Sequence, residues 1–308
     1  MQEFIQLLKS RITSGNILER EPMSRHTTFS VGGPADIFVQ PGSVEEVQWA
    51  LRCSRERKVP FFVVGNGSNL LVSDEGFRGM ILNLGRNFQK IQVEGELMEV
   101  QAGALLGRVA REALDHGLTG LEFAAGIPGS IGGAAAMNAG AYGGEMKDVI
   151  MEVLVLTEEG DLLRLSNEEM DLGYRHSCIF EKNYIVLQVK MKLQKGPAEA
   201  IRERMEELAR ARREKQPLEY PSAGSTFKRP AGYFAGKLIQ DAGLKGFRVG
   251  GAMVSEKHAG FVINAGHGTA ADIAELIRQV QIRVKEAAGV TMHPEVRFLG
   301  FSQDKIVK

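Results

Sequence analysis

The 308-residue sequence predicts an α+β fold with much antiparallel sheet, and three observations carry that prediction. Residues 149–156 and 162–165 are strand-type runs joined through a polar turn at 158–161, the pattern of a hairpin. Ile185, Leu187, Val189, Met191 and Leu193 alternate with Gln188, Lys190 and Lys192, the period of a strand with one buried face. Residues 197–216 form a highly charged helical run whose apolar stripe is only Ile201, Met205 and Leu208. Such a solvated helix marks a boundary before the last hundred residues.

From the N-terminus, Phe4, Ile5, Leu8 and Ile12 recur at helical spacing and predict a short amphipathic helix. Gly32-Gly33-Pro34 is a tight turn into a short strand over 36–39. Ser43 and Glu46 form a capping box for a helix that buries Val47, Ala50 and Leu51. Residues 61–64 are an apolar strand that breaks directly into Gly65-Asn66-Gly67-Ser68-Asn69, a first glycine-rich loop. Residues 97–102 predict another strand, and 105–116 a helix stopped by Gly117.

The segment 120–144 organises the chain. No charged residue lies between Glu122 and Glu145, yet Gly126, Gly129, Gly132, Gly133, Gly140, Gly143 and Gly144 exclude an ordinary amphipathic helix, since each glycine costs roughly 1 kcal/mol there. A membrane span needs about 20 mainly apolar residues, but Pro128, Asn138 and the glycines suit one poorly. Two readings remain at this level. One is close packing of backbones without a ligand. The other is a cradle in which backbone N–H groups, with the N-terminus of a short helix near 132–137, hold an anion such as a nucleotide pyrophosphate.

Two decoys fail. The first loop would need glycine at position 70 for G-x-G-x-x-G, and it has Leu70 with no helical pattern behind it. Gly266-His267-Gly268-Thr269-Ala270-Ala271 matches G-x-G-x-x-A, with Glu286 where an acid belongs. Thr269 and Asp272 cap a helix there, with Ile273, Leu276, Ile277, Val280 and Val284 as a core stripe.

Lys+Arg and Asp+Glu both number 38, so nothing points to nucleic acid or an anionic membrane as partner. The opening MQEFIQLLKSRI is not a secretion signal, so a cytoplasmic protein is expected. Cys53 and Cys178 are too few for a disulfide framework, and the six histidines show no ligand spacing, so no metal is expected. G-x-x-x-x-G-K-[ST], H-E-x-x-H and G-x-S-x-G are all absent.

Seven stretches, in order, resemble UDP-N-acetylenolpyruvoylglucosamine reductase, a flavoenzyme family of cell-wall precursor synthesis: His26-Thr27 with Gly32-Gly33-Pro34-Ala35-Asp36; residues 65–70; residues 126–140; Gly173-Tyr174-Arg175; residues 223–228; Ala235-Gly236 with Gly250-Gly251; and residues 294–297. The resemblance implies an FAD-binding fold of the vanillyl-alcohol-oxidase type, in two subdomains over 1–86 and 87–197, followed by an α+β domain over 198–308 that binds the nucleotide sugar. It implies non-covalent FAD and NADPH as hydride donor. Gly65, Asn66, Gly67, Ser68, Asn69 and Leu70, with Gly126, Ile127, Pro128, Gly129, Ser130, Gly132, Gly133, Asn138 and Gly140, are then expected to hold the cofactor, Gly129-Ser130 and Gly132-Gly133 as leading donors.

Hydride addition to an enolpyruvyl ether leaves charge shared between C2 and the carboxylate, so an acid must protonate C2 and other groups must hold the charge. By resemblance Ser225 is the proton donor, Arg175 and Glu295 stabilise the charge, and Tyr174 lies beside them. Glu295 can donate only if its carboxyl stays protonated. Lys215, Lys228, Arg229, Lys237 and His258 are candidates for the nucleotide diphosphate or uridine. About ten residues separate Arg175 from the next strand, which leaves no room for a tyrosine-bearing closing loop and implies the shorter form of the family. A monomer is the expected state. An FAD-linked oxidase or dehydrogenase of an alcohol or hydroxy acid is the alternative enzyme, and a nucleotide-binding regulatory module the alternative without catalysis.

Overall fold

The computed structural model describes residues 1–302. Its elements begin with α1 (Gln2–Lys9), β1 (Asn16–Pro22), β2 (Pro34–Gln40), α2 (Val44–Glu56), β3 (Phe61–Val64), β4 (Leu70–Val72) and β5 (Phe77–Asn83). There follow β6 (Ile91–Glu94), β7 (Leu97–Gln101), α3 (Leu106–Asp115), α4 (Ile131–Met137), β8 (Ile150–Leu156), β9 (Leu162–Ser166), α5 (Cys178–Glu181) and β10 (Ile185–Lys192). The chain closes with α6 (Ala198–Lys215), α7 (Ala235–Asp241), β11 (Ala252–Val254), β12 (Val262–Asn264), α8 (Ala270–Ala288) and β13 (Arg297–Leu299).

Contacts divide the chain into two compact units. One holds Met1–Glu19, Ile37–Asn66 and Gly79–Arg212; the other holds Arg20–Asp36, Gly67–Arg78 and the chain from Arg213 onward. This grouping differs from linear boundaries at 86 and 197. The reason is that Phe29, Val31 and Leu71 join the core built by Leu238, Ile273, Leu276 and Val280, while β4 pairs in parallel with β13, Leu70 opposite Arg297.

One sheet has the order β1-β2-β5-β3, with β3 parallel to β5. A second is antiparallel throughout, in the order β9-β8-β10-β7-β6. The expected hairpin is β8 and β9, paired from Glu152↔Ser166 to Leu156↔Leu162. The alternating strand is β10, and α4 packs against it. Cys53 and Cys178 are buried free thiols, and burial raises the pKa of both.

Only half of the expected capping box at α2 forms. Ser43 Oγ accepts from the Glu46 amide at 3.3 Å, but the Glu46 carboxylate turns away to accept from the amides of Gly42, Thr13 and Ser14 and from Ser14 Oγ, at 2.6 to 2.9 Å. Burial alone would raise its pKa; the hydrogen bonds from Gly42, Ser14 and Thr13 outweigh it and hold the carboxyl below its ordinary 4.5. The stability this supplies is therefore present above pH 4.5 and lost as pH falls through the depressed folded value. Glu46→Gln is expected to cost about 1–3 kcal/mol at neutral pH by leaving buried amides short of acceptors. Urea melts at neutral and acid pH should show that difference shrinking in acid.

The helix behind the Gly266 loop is capped as expected. Thr269 and Asp272 form a complete capping box on α8, and Gly289 closes its other end with φ 70°. The amides of Ala270 and Ala271 also donate to the two carboxylate oxygens of Asp74, at 2.8 and 2.9 Å. An acid thus occupies the helix end that a dinucleotide would need. Among the described residues no helix is long and apolar enough to cross a membrane, and no His/Cys/Asp/Glu cluster could hold a metal.

Candidate functional site

Within the first unit, Gly65 and Asn66 meet the second glycine-rich segment. Asn66 Nδ2 donates to the Pro128 carbonyl at 2.7 Å. A Cβ on Gly65 would lie 2.1 Å from Ser130 Oγ, so only glycine admits that hydroxyl. Ser130 is buried and precedes α4 without capping it through its side chain. Gly126, Pro128 and Gly133 are exposed around it, Ile127 and Gly129 half-buried. A Cβ on Gly133 would find nothing closer than Ser130 Oγ at 3.7 Å, so its glycine leaves a surface open to a ligand. Exposed backbone beside a buried hydroxyl at a helix start fits a pyrophosphate.

Not every expected cradle residue serves the cradle. The Gly132 amide donates to Ala102 O at 2.9 Å, and a Cβ there would meet Ala102 Cβ at 2.7 Å. Gly132 is therefore a packing glycine, and the expectation that its amide holds the cofactor fails. Ile131 N to Ala104 O and Leu106 N to Gly129 O, at 2.8 and 2.9 Å, complete the clamp on this segment. A Cβ on Gly126 would lie 2.6 Å from Arg212 Nη1, so a side chain there would displace the guanidinium; the two flank a cavity of about 230 Å³ that Arg111, Tyr142 and Met205 also line. Gly140 packs on Gly144 O. Asn83, which sequence reasoning missed, donates to the carbonyls of Val64 and Gly65 at 3.1 and 2.8 Å and fixes the exit of β3. Its sequence signal is an asparagine ending the apolar run Met80-Ile81-Leu82, and the structure shows it buried.

Tyr174 and Arg175 form the tip of a two-residue turn closed by reciprocal backbone bonds between Gly173 and His176, both 3.2 Å. Arg175 has φ 53°, unusual for a residue with a side chain. Its guanidinium lies 5.2 Å from the Tyr174 ring and donates to Gly140 O at 3.4 Å. Asn138, expected at the cofactor, has both polar ends of its side chain bonded to the protein. It is fully buried, with Nδ2 donating to Gly173 O at 3.0 Å and Oδ1 accepting from Lys147 N at 2.8 Å. Only a single helical turn, α5, lies between this turn and β10, so the chain has the short connection expected.

In the second unit, Ser225 is exposed on an extended segment between two neighbours. On one side Thr226 N donates to Gly260 O, and Thr226 Oγ1 accepts from Val262 N, both 2.9 Å. On the other side Glu295 N donates to Thr226 O at 2.8 Å and Lys228 N to His293 O at 2.9 Å. Ser225 and Glu295 therefore lie on neighbouring segments joined through the isolated bridge Phe227↔Pro294, although 70 residues apart in sequence. Asn69, from the first glycine loop, locks the Glu295 segment: its Nδ2 donates to Glu295 O at 3.0 Å, and its own carbonyl accepts from Arg297 N at 3.1 Å. The Asn69 side chain is thus engaged by the protein, and Leu70 is buried at the start of β4. Gly67 is held by its φ of 61° and by His26 O, 1.9 Å from a would-be Cβ; Ser68 beside it is half-buried.

The basic candidates differ in what they offer. Lys237 Nζ pairs with Asp241 on α7 at 2.7 and 2.8 Å. Arg229 stacks 4.7 Å from the exposed Phe234 ring. Lys215 ends α6, and Lys228 is exposed beside the segment from His293. Burial, aided by Lys245, lowers the pKa of His258, whose Nδ1 accepts from Gly260 N at 3.1 Å. At neutral pH it therefore offers a neutral imidazole with one Nε2–H donor, not a cation for a diphosphate.

Comparison with known proteins agrees with this geometry. Residues 35–166 match the FAD binding domain family, and residues 216–299 match the UDP-N-acetylenolpyruvoylglucosamine reductase C-terminal domain. The UDP-N-acetylenolpyruvoylglucosamine reductase of Caldanaerobacter subterraneus subsp. tengcongensis is 52% identical over 296 residues, 96% of this chain and 98% of that protein. The crystal structure of the reductase from Thermus caldophilus superposes with a TM-score of 0.81 at 40% identity, covering 92% of this chain and 99% of that one. Alkyldihydroxyacetonephosphate synthase shares the fold alone, with a TM-score of 0.50 at 17% identity over 63% of this chain and 40% of its own. The fold is of the vanillyl-alcohol-oxidase type, its cofactor is FAD, and the chain belongs to the UDP-N-acetylenolpyruvoylglucosamine reductase family.

Proposed function

We propose that the chain reduces the enolpyruvyl ether of a UDP-N-acetylglucosamine derivative to UDP-N-acetylmuramate with NADPH as the electron source, and that Ser225 supplies the proton. FAD, when held by the glycine-rich loops, would supply the hydride chemistry between the nicotinamide and the enolpyruvyl group. The protein's own groups have two tasks. Arg175, with its fixed charge, and Glu295, in its protonated form, hold the negative charge that develops on C2 and the carboxylate. The Ser225 hydroxyl gives its proton to C2. The observation that supports this reading is the bond between the Ser225 and Glu295 segments from Glu295 N to Thr226 O.

In the same reading residues 1–86 and 87–197 are the two flavin-binding subdomains, and 198–308 take the nucleotide sugar through Lys215, Lys228, Arg229, Lys237 and His258. The enzyme works in the cytoplasm as a monomer, without nucleic acid or membrane partners. Reconstitution with FAD is expected to give a yellow protein that NADPH bleaches without oxygen and that the enolpyruvyl sugar turns yellow again. Failure of the sugar to restore the colour, with rapid reoxidation by air, would sink the reading in favour of an oxidase.

A further inference from the structure

We propose that Asn138 is a positioning residue for Arg175, acting from the far end of α4 by holding the base of the turn that presents the guanidinium; this rests on the reading of Arg175 as charge stabiliser. Asn138 caps α4 with φ 45° and ψ 57°, a left-handed conformation that asparagine tolerates better than other side-chain-bearing residues. It is fully buried, and its amide has one sensible orientation. Oδ1 faces the Lys147 amide at 2.8 Å and Nδ2 faces the Gly173 carbonyl at 3.0 Å, so a flip would set donor against donor and acceptor against acceptor.

The turn needs outside support. Arg175 sits at φ 53°, which the surrounding structure must impose on a non-glycine residue. Gly173 and His176 close the turn, and further bonds tie it to the body of the unit, among them Asn138 Nδ2 on Gly173 O, Ser177 Oγ donating to Ala136 O at 2.6 Å, and Lys147 Nζ donating to Leu172 O at 3.2 Å. The guanidinium reaches back to Gly140 O, two residues beyond Asn138. Residues 136–140 therefore anchor both the backbone and the head of Arg175. Because the other end of α4 carries Ser130 and Gly133 of the cradle, one short helix fixes the arginine relative to the cofactor loop.

The test uses FAD-loaded enzyme and anaerobic half-reactions. Asn138→Asp keeps the acceptor for Lys147 but replaces the donor to Gly173 with an oxygen. It is expected to slow reoxidation of reduced enzyme by the enolpyruvyl sugar by about 10- to 100-fold, the scale of a misplaced catalytic group, with FAD content retained. In an Arg175→Ala background the same substitution should change that rate by less than about 2-fold, because neighbours acting through one group are not additive. Ser177→Ala, which removes the tie to Ala136 O, should give a smaller slowing that also vanishes in that background, and it decides the matter if Asn138→Asp does not fold. Equal slowing in both backgrounds, or slowing that tracks lost FAD, overturns the proposal. If Arg175→Ala alone leaves reoxidation unaffected, the role of Arg175 fails first and this inference with it.

Discussion

Ser225→Ala is expected to leave flavin reduction by NADPH near the normal rate and to slow reoxidation by the enolpyruvyl sugar by about 10²–10⁴-fold, the usual worth of a positioned general acid. That range corresponds to about 3–5 kcal/mol of barrier. The substitution should be silent for folding. Ser225 is exposed, and the local structure is held by its neighbour Thr226, which is fully buried and bonded to Val262 and Gly260. Stopped-flow absorbance of the flavin separates the two half-reactions. A serine that merely bound substrate would weaken saturation without this asymmetry, and equal losses in both halves would refute the proton-donor role.

The second large effect distinguishes two adjacent glycines. Gly132→Val should destabilise the protein by about 1–3 kcal/mol through overpacking, because a Cβ there already lies 2.7 Å from Ala102 Cβ. Gly133→Val should leave folding nearly intact, since its Cβ meets nothing closer than 3.7 Å, but place a branched side chain over the cradle. A hydrogen bond to a charged group is worth about 1.5–3 kcal/mol, so losing one phosphate contact weakens FAD by about 10- to 150-fold. Thermal melts of the apoprotein and flavin titrations read the two effects separately. Equal flavin loss in both variants, with unchanged melting, would falsify the distinction.

The glycine loops were legible because tight turns and close backbone approaches restrict residue type. The antiparallel sheet was legible because β10 alternates apolar and polar residues from Leu187 to Lys192, and β8 and β9 are strand-type runs flanking a short polar turn. Two classes of feature were not. The pairing of β4 with β13 joins three-residue strands more than two hundred residues apart, and no local period announces such a contact. The division of labour among polar side chains was also hidden. Asn69 and Asn138 look like ligands in a glycine-rich context, yet each is engaged by a carbonyl of a segment or turn that carries a catalytic candidate. Glu46 likewise reads as a cap for its own helix, while its carboxylate gathers the amides of another loop.

Asp74 gives the two look-alike glycine loops opposite fates. By accepting from Ala270 and Ala271, it gives α8 internally what a phosphate would give from outside. Installing a nucleotide at the Gly266 loop would thus first require evicting a tethered competitor whose effective concentration no free ligand matches. Selectivity among similar loops is then a property of residues remote in sequence, and a pattern search confined to the loop is blind to it.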